Sequence, residues 1–194
     1  MNNFWFYIQL GLDHVLDFSA YDHILFLTAL ALPFTFLRWK QLLVLATVFT
    51  ITHCLSLGLS SYGVLTVDVG LIEFLIPITI FLTAAYNLMR IKNGAAHGRF
   101  DFLVVATSFF GLIHGFGFSN YFKMLMAGEE DKLTPLLGFA TGIELSQVSI
   151  ILMVLVLAYL VQALGKVKQS YFILTGSVLI LLMTIPMLVA TYPW

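Results

Sequence analysis

Long apolar runs separated by short polar or turn-forming breaks dominate the chain, and they fall at about residues 21–36, 41–60, 67–89, 100–122, 134–160 and 170–192. A helix needs about 20 mostly apolar residues to cross the hydrocarbon core of a bilayer, so each run predicts a membrane span. The first run is the shortest. Ahead of it, Ser19-Ala20-Tyr21-Asp22 has the spacing of a helix-capping box, with Asp in the place usually held by Glu or Gln. The stretch 4–16 is apolar and aromatic, too short to span, and carries Asp13 and His14; it predicts an interfacial or re-entrant helix within residues 1–19. No Lys or Arg precedes it and no small-residue cleavage site follows, so it is not expected to be a cleaved signal peptide. The expected fold class is all-α: one polytopic membrane helical bundle over residues 1–194, with six transmembrane helices, a short N-terminal helix and no internal repeat.

Composition agrees with the pattern. Hydrophobic residues make up 60% of the 194 and charged residues only 10%, against roughly half and a quarter in a soluble domain. A formal net charge of -1 leaves no basic field to hold nucleic acid. The single cysteine, Cys54, excludes an intrachain disulfide and any thiolate-rich metal site. Lys and Arg collect in cytoplasmic loops. Arg38, Lys40, Arg90, Lys92, Arg99, Lys166 and Lys168 occupy the first, third and fifth connections, whereas only Lys123 and Lys132 lie on the other side. That asymmetry predicts both termini outside the cytoplasm, with Glu129, Glu130 and Asp131 in a solvated external loop and Trp5, Tyr192 and Trp194 in an outer aromatic belt.

Ionisable groups inside spans are costly and usually mark function. Here they are Asp22 and His23 in the first span, His53 in the second, Glu73 in the third, His114 in the fourth, and Glu144 with Gln147 in the fifth. At about 1.5 Å per residue, Glu73 lies about 9 Å, His53 and His114 about 11 Å and Glu144 about 15 Å from the outer ends of their spans. Five helices therefore bring acids and imidazoles into one leaflet at similar depths. Gly111-x-x-x-Gly115 and Gly138-x-x-x-Gly142 predict close helix approach around them. Pro77 removes a backbone donor one turn beyond Glu73. Imidazole with carboxylate suits nickel, cobalt, zinc or iron, and the lack of thiolates argues against copper(I). The alternative is mutual pairing as structural salt bridges; convergence from five helices favours a bound cation or a proton pathway. Cys54 is expected to pack, His97 to be solvated, Asn87 to hydrogen-bond between helices, and the sixth span to lie outside the cluster.

The order and spacing of Asp22-His23-Ile24-Leu25-Phe26-Leu27, Thr52-His53-Cys54-Leu55-Ser56, Glu73 with Asn87, Phe110-Gly111-Leu112-Ile113-His114-Gly115 and Thr141-Gly142-Ile143-Glu144-Leu145-Ser146-Gln147 resemble the HupE/UreJ family of bacterial membrane proteins over most of the chain. The resemblance implies a place in the bacterial cytoplasmic membrane and nickel permeation, or a metal-handling role beside hydrogenase or urease, with metalloenzyme accessory proteins as partners. The family usually has a His six residues before the Asp-His pair, where this chain has Leu16, and the nearest upstream imidazole is His14, eight before Asp22. Its nickel permeases tend to carry a Glu shortly after the His-Gly of the fourth span, where Phe118 and Ser119 stand here.

The expected function is a membrane transporter that takes a divalent transition metal from outside and passes it inward. Its expected ligands are Asp22, His23, His53, Glu73, His114 and Glu144, with Gln147 supporting them and His14 as the last addition. Neutral imidazoles bind metal, so affinity is expected to fall as pH drops through the ordinary imidazole range near about 6.5. Two rival readings remain. One is an intramembrane zinc hydrolase in which three His, several carboxylates and Ser19 hold zinc and activate a water, with a spare Glu as general base; it lacks an HExxH signature. The other is a metal-holding accessory protein that transports nothing, consistent with the absence of ionisable groups in the inner half of any span except those near the loops.

Overall fold

The computed structural model describes residues 3–92, 99–127 and 131–193; His97, Glu129, Glu130 and Trp194 lie outside the described residues. Among these, seven α-helices account for nearly all regular structure: α1 (Asn3–Leu16), α2 (Asp22–Ala31), α3 (Trp39–Ser61), α4 (Val69–Lys92), α5 (Phe100–Leu125), α6 (Leu133–Ala163) and α7 (Gln169–Ala190). A single 3₁₀ turn, Phe36–Arg38, leads into α3. The class is all-α, as the apolar runs predict. Five helices, α3 to α7, are long and apolar enough to cross a membrane. The shortest of them has 22 residues, about 33 Å of rise.

The expected first span differs. Its helix covers ten residues and ends at Ala31, short of residue 36, because Pro33 has no N–H with which to continue the ladder. Ten residues rise about 15 Å, half a bilayer core. With the 14 residues of α1, this helix has the combined length of one crossing. The Phe4 carbonyl meets Gly138, the Ile8 carbonyl meets Gly142, and Ser146 Oγ donates to the Leu12 carbonyl, so α1 and α6 run side by side in the same direction. Further on, α2 keeps that direction: Asn87 Nδ2 donates to the Ala29 carbonyl at 2.7 Å, and Gln169 Nε2, at the start of α7, donates to the Pro33 carbonyl at 2.9 Å. Thus α1 and α2 act as two half-length helices laid in sequence, with a break at residues 17–21. Asn87 makes the interhelical bond expected of it.

Helix α2 is enclosed on nearly every side: His23, Leu25, Phe26, Leu27, Ala29, Leu30 and Ala31 are all buried. Around it, α3 pairs with α5, α1 with α6 and α4 with α7. Both small-residue motifs sit at close backbone contacts, as predicted. A Cβ on Gly115 would run into the His53 carbonyl and Ser56 Oγ, and Gly142 faces Gly11 and the Ile8 carbonyl. The partner of the second motif is α1, which the sequence placed at the interface. At the outer start of α6, Asp131 accepts from the Leu133 amide at 2.9 Å and from Thr134 Oγ1 at 2.5 Å. These bonds, the Thr134 hydroxyl first, hold its carboxyl below the usual range.

Gly115→Ala is expected to lower stability in detergent by about 1–3 kcal/mol, since a carbonyl cannot move aside cheaply. Gly58→Ala, whose Cβ would meet only Leu136 Cδ2 at 3.6 Å, is expected to be neutral or stabilising by up to about 1 kcal/mol. Equal thermal shifts for the two variants would contradict the α3–α5 backbone contact.

Candidate metal centre

The break between α1 and α2 is where the titratable residues gather. His14 lies in the last turn of α1, Asp22 and His23 in the first turn of α2, His53 a little beyond the middle of α3, and His114 in the outer half of α5. Close approach of α3 and α5 at Gly115 sets His53 and His114 near each other, and the docking of α1 at Gly142 carries in His14. His23, His53 and His114 are 2%, 0% and 1% exposed. Ring centroids are separated by 4.7 Å for His14 and His23, 5.6 Å for His23 and His53, 5.7 Å for His14 and His53, and 5.2 Å for His23 and His114.

Two overlapping sets of ligand atoms result. His14, His23 and His53 each offer one atom, and Asp22, His23 and His114 likewise; within each set the atoms lie within 4.8 Å of one another. Two nitrogens at about 2.1 Å on opposite sides of one ion stand about 4.2 Å apart, so small side-chain adjustments bring either set onto one ion.

Hydrogen bonds decide which nitrogens carry lone pairs. The Thr79 hydroxyl donates to the Ile76 carbonyl at 2.7 Å, which uses its one proton. Toward His114 Nε2, 3.0 Å away, it can only accept. Nε2 therefore carries the hydrogen and Nδ1 is a bare lone pair. His23 Nδ1 lies 3.2 Å from Asp22 Oδ1, an acceptor, so its free lone pair is on Nε2. His114 Nδ1, His23 Nε2, His14 Nε2 and both ring nitrogens of His53 are buried without a hydrogen-bond partner. Unpaired buried polar atoms cost free energy; with one lone pair on each neutral ring, the four imidazoles offer up to four nitrogens that could hold a metal. Fixing an imidazole through its other nitrogen is what supporting residues at metal sites do.

The cluster has a mouth and a floor. A cleft of about 570 Å³, lined by the 17–21 break, α4, α5 and the C-terminal end of α7, reaches His14, Asp22, His23 and His114. On the opposite side stand Phe26, Phe49 and Phe110, each about one helical turn from a clustered histidine on its own helix. Phe26 and Phe49 stack at 5.0 Å, Phe26 and Phe110 meet edge-on at 5.9 Å, and Phe49 lies 5.2 Å from the His114 ring. A second aromatic wall, Phe118 stacked on Phe139 at 5.3 Å, flanks His14, whose ring is 4.0 Å from Phe118.

The remaining sequence candidates lie elsewhere. Glu73 is exposed at the lip of the cleft. Glu144 stands outside both ligand sets: its two carboxylate oxygens accept from Thr47 Oγ1 and Thr50 Oγ1, each at 2.6 Å. Gln147, fully buried, has its Oε1 3.3 Å from the same Thr50 hydroxyl. Cys54 is buried, free and in neither set. Helix α7 supplies cleft wall but no ligand, and Pro77 and Pro186 both face the cleft from inside helices. Thr79 escaped sequence reasoning because nothing marks one hydroxyl among many. The phenylalanine floor did carry a signal, aromatics at i−4 from His53 and His114 and at i+3 from His23.

No curated protein and no solved structure matches the chain. A protein-family model described as HupE / UreJ protein matches residues 1–191. With that match running through every helix that builds the cluster, the chain belongs to the HupE/UreJ family.

Proposed function

We propose that this protein binds a divalent transition metal of the nickel, zinc, cobalt or iron type at His14, Asp22, His23, His53 and His114, receives it through the outward cleft, and passes it across the bacterial cytoplasmic membrane. The observation that carries this reading is the convergence of unpartnered imidazole nitrogens from α1, α2, α3 and α5. Glu73 at the lip would attract the cation before it enters. Its neighbours Pro77 and Thr79 belong to the same helix, and Pro77 frees the carbonyl four residues back for the same cleft. Glu144 and Gln147 support the site indirectly in this reading, by holding α3 against α6 through Thr50 one turn from His53.

Passage inward requires Phe26, Phe49 and Phe110 to part. That floor also favours a second reading, in which the protein holds metal for an accessory partner and transports nothing. Uptake of radioactive metal into proteoliposomes separates the two: saturable uptake that accelerates when Phe49→Ala thins the floor supports passage, and its absence from both proteins supports holding.

Purified protein loaded with nickel or zinc is expected to retain about one ion per chain. His53→Ala and His114→Ala are expected to weaken binding by well over tenfold, and Glu144→Gln to leave it within a fewfold, since Glu144 is engaged by two threonines. A wild type without metal, or metal content untouched by both histidine changes, would reject the site.

Thr79→Val removes the acceptor that fixes the His114 tautomer. Loss of such a supporting contact typically costs about 10–100-fold in metal affinity, measurable by competition with a chelator. Protons and metal compete for the same nitrogens, so affinity is expected to fall steadily from about pH 8 to pH 5; a pH-independent affinity would mean the imidazoles are not ligands.

A further inference from the structure

A second polar cavity lies at the opposite end of the bundle, on the face that loop charge assigns to the cytosol. Arg38, Gln41, Tyr86, Asn87 and Arg90 contribute its polar groups. Arg90 lies over the Tyr86 ring, 5.8 Å from its centroid, with its Nε buried and lacking a hydrogen-bond partner. Among the described residues the only ion pair is His23 with Asp22, so neither arginine has a carboxylate partner. The adjoining connection, residues 93–98, contains no Asp or Glu. Two guanidinium groups, one of them with a buried unpartnered Nε donor, match an oxyanion, and the planar fork of arginine suits phosphate in particular.

This cavity adjoins an apolar groove of about 280 Å³, with Leu30, Thr83, Tyr86 and Leu103 common to both. The groove exists because α2 is buried at the centre and half-length, which leaves a furrow between α4 and α5 that no helix covers. Leu82, Met89 and Phe102 on its rim are 52%, 63% and 53% exposed, so it opens to the bilayer. Its far end reaches Phe26 and Phe110 of the floor beneath the histidines. A free anion would use the arginines and leave the groove empty; a phospholipid uses both. Anionic lipids are concentrated in the cytoplasmic leaflet, and basic pockets between spans on that side recognise their headgroups.

We propose that the protein holds one anionic phospholipid, its phosphate on Arg38 and Arg90 and an acyl chain in the furrow between α4 and α5.

The test is native mass spectrometry of the detergent-purified full chain, titrated with dioleoyl phosphatidylglycerol or dioleoyl phosphatidylcholine. Wild type is expected to prefer the anionic lipid by about 10- to 30-fold, the worth of two arginines near an anionic surface. Arg38→Gln with Arg90→Gln should abolish the preference, and Ala106→Phe, which fills the furrow, should weaken both lipids while sparing metal content. Arg90→Lys, which keeps the charge and loses the Nε donor, should lose part of the preference and provides a reading if the double variant does not fold. Equal affinity for the two lipids, a preference that survives loss of both arginines, or displacement by inorganic phosphate at lipid-equivalent concentration would overturn the proposal; the last would leave a free-anion site.

Discussion

Imidazole rings sealed inside an apolar bundle must either find partners for their nitrogens or leave them unpaired at considerable cost, and that requirement organises this molecule. Three of the four clustered rings are essentially inaccessible. Only two ring nitrogens have defined partners, His23 Nδ1 with Asp22 and His114 Nε2 with Thr79. Those two contacts leave the other nitrogen of each ring, His23 Nε2 and His114 Nδ1, buried without a partner. The surrounding fold maintains a destabilising arrangement: α3 and α5 are brought together at Gly115, α1 is seated on α6 at Gly142, and Phe49 and Phe26 fill the space beneath. A bound cation would relieve the unpaired nitrogens, coupling metal occupancy to the stability of the bundle's outer half.

The broken helix follows from the same requirement. A continuous span would place side chains on its faces but keep its backbone ends away from the site. Interrupting it at residues 17–21 puts the carboxyl end of α1 and the amino end of α2 beside the cluster. Irregular backbone at this depth is tolerated where it lines a cavity, and the break lines the cleft. The carbonyls ending α1 carry partial negative charge, which favours a cation; the amides beginning α2 carry partial positive charge, which opposes one. Asp22 sits at that unfavourable end, accepts from the His23 amide at 2.9 Å and orients the His23 ring as well. One carboxylate thus offsets a helix dipole, fixes a tautomer and adds to the donor set.

Much of this was legible in the amino-acid sequence, for physical reasons that differ by residue. The five long helices are visible because each must be apolar over a bilayer's width. Asp22, His23, His53 and His114 stood out because ionisable groups are rare in such helices, and their shared depth followed from helical rise alone. Depth did not resolve azimuth. Glu144 sits at a suitable height but turns to Thr47 and Thr50, and Glu73 stays at the lip; whether a side chain faces the cluster depends on helix rotation, which packing sets. His14 was undervalued because α1 is too short to span, and its place beside α6 depends on Gly11 and Gly142 meeting across distant parts of the chain. The end of α2 was local information, carried by Pro33, obscured by the apolar residues that continue beyond it.

The phenylalanine floor connects the two ends of the protein. Phe26 lies against the histidine cluster on one side and lines the furrow on the other, and Phe110, edge-on to Phe26, lines the furrow beside it. Aromatic rings in such a constriction are bulky and apolar, so they would obstruct an ion strongly, and Phe26 and Phe49, fully buried, would have to rotate against their neighbours to yield. Whatever occupies the furrow touches Phe26, whose ring lies 5.4 Å from that of His114, and Phe110, which meets Phe26 edge-on. An acyl chain lodged there would restrict the rotations of Phe26 and Phe110 and keep the floor shut, whereas a vacated furrow would give those rings room to swing away from the imidazoles. Inward release of metal, as proposed, and occupancy of the groove would then be linked through two side chains, with α2 short enough to let both spaces meet at its centre.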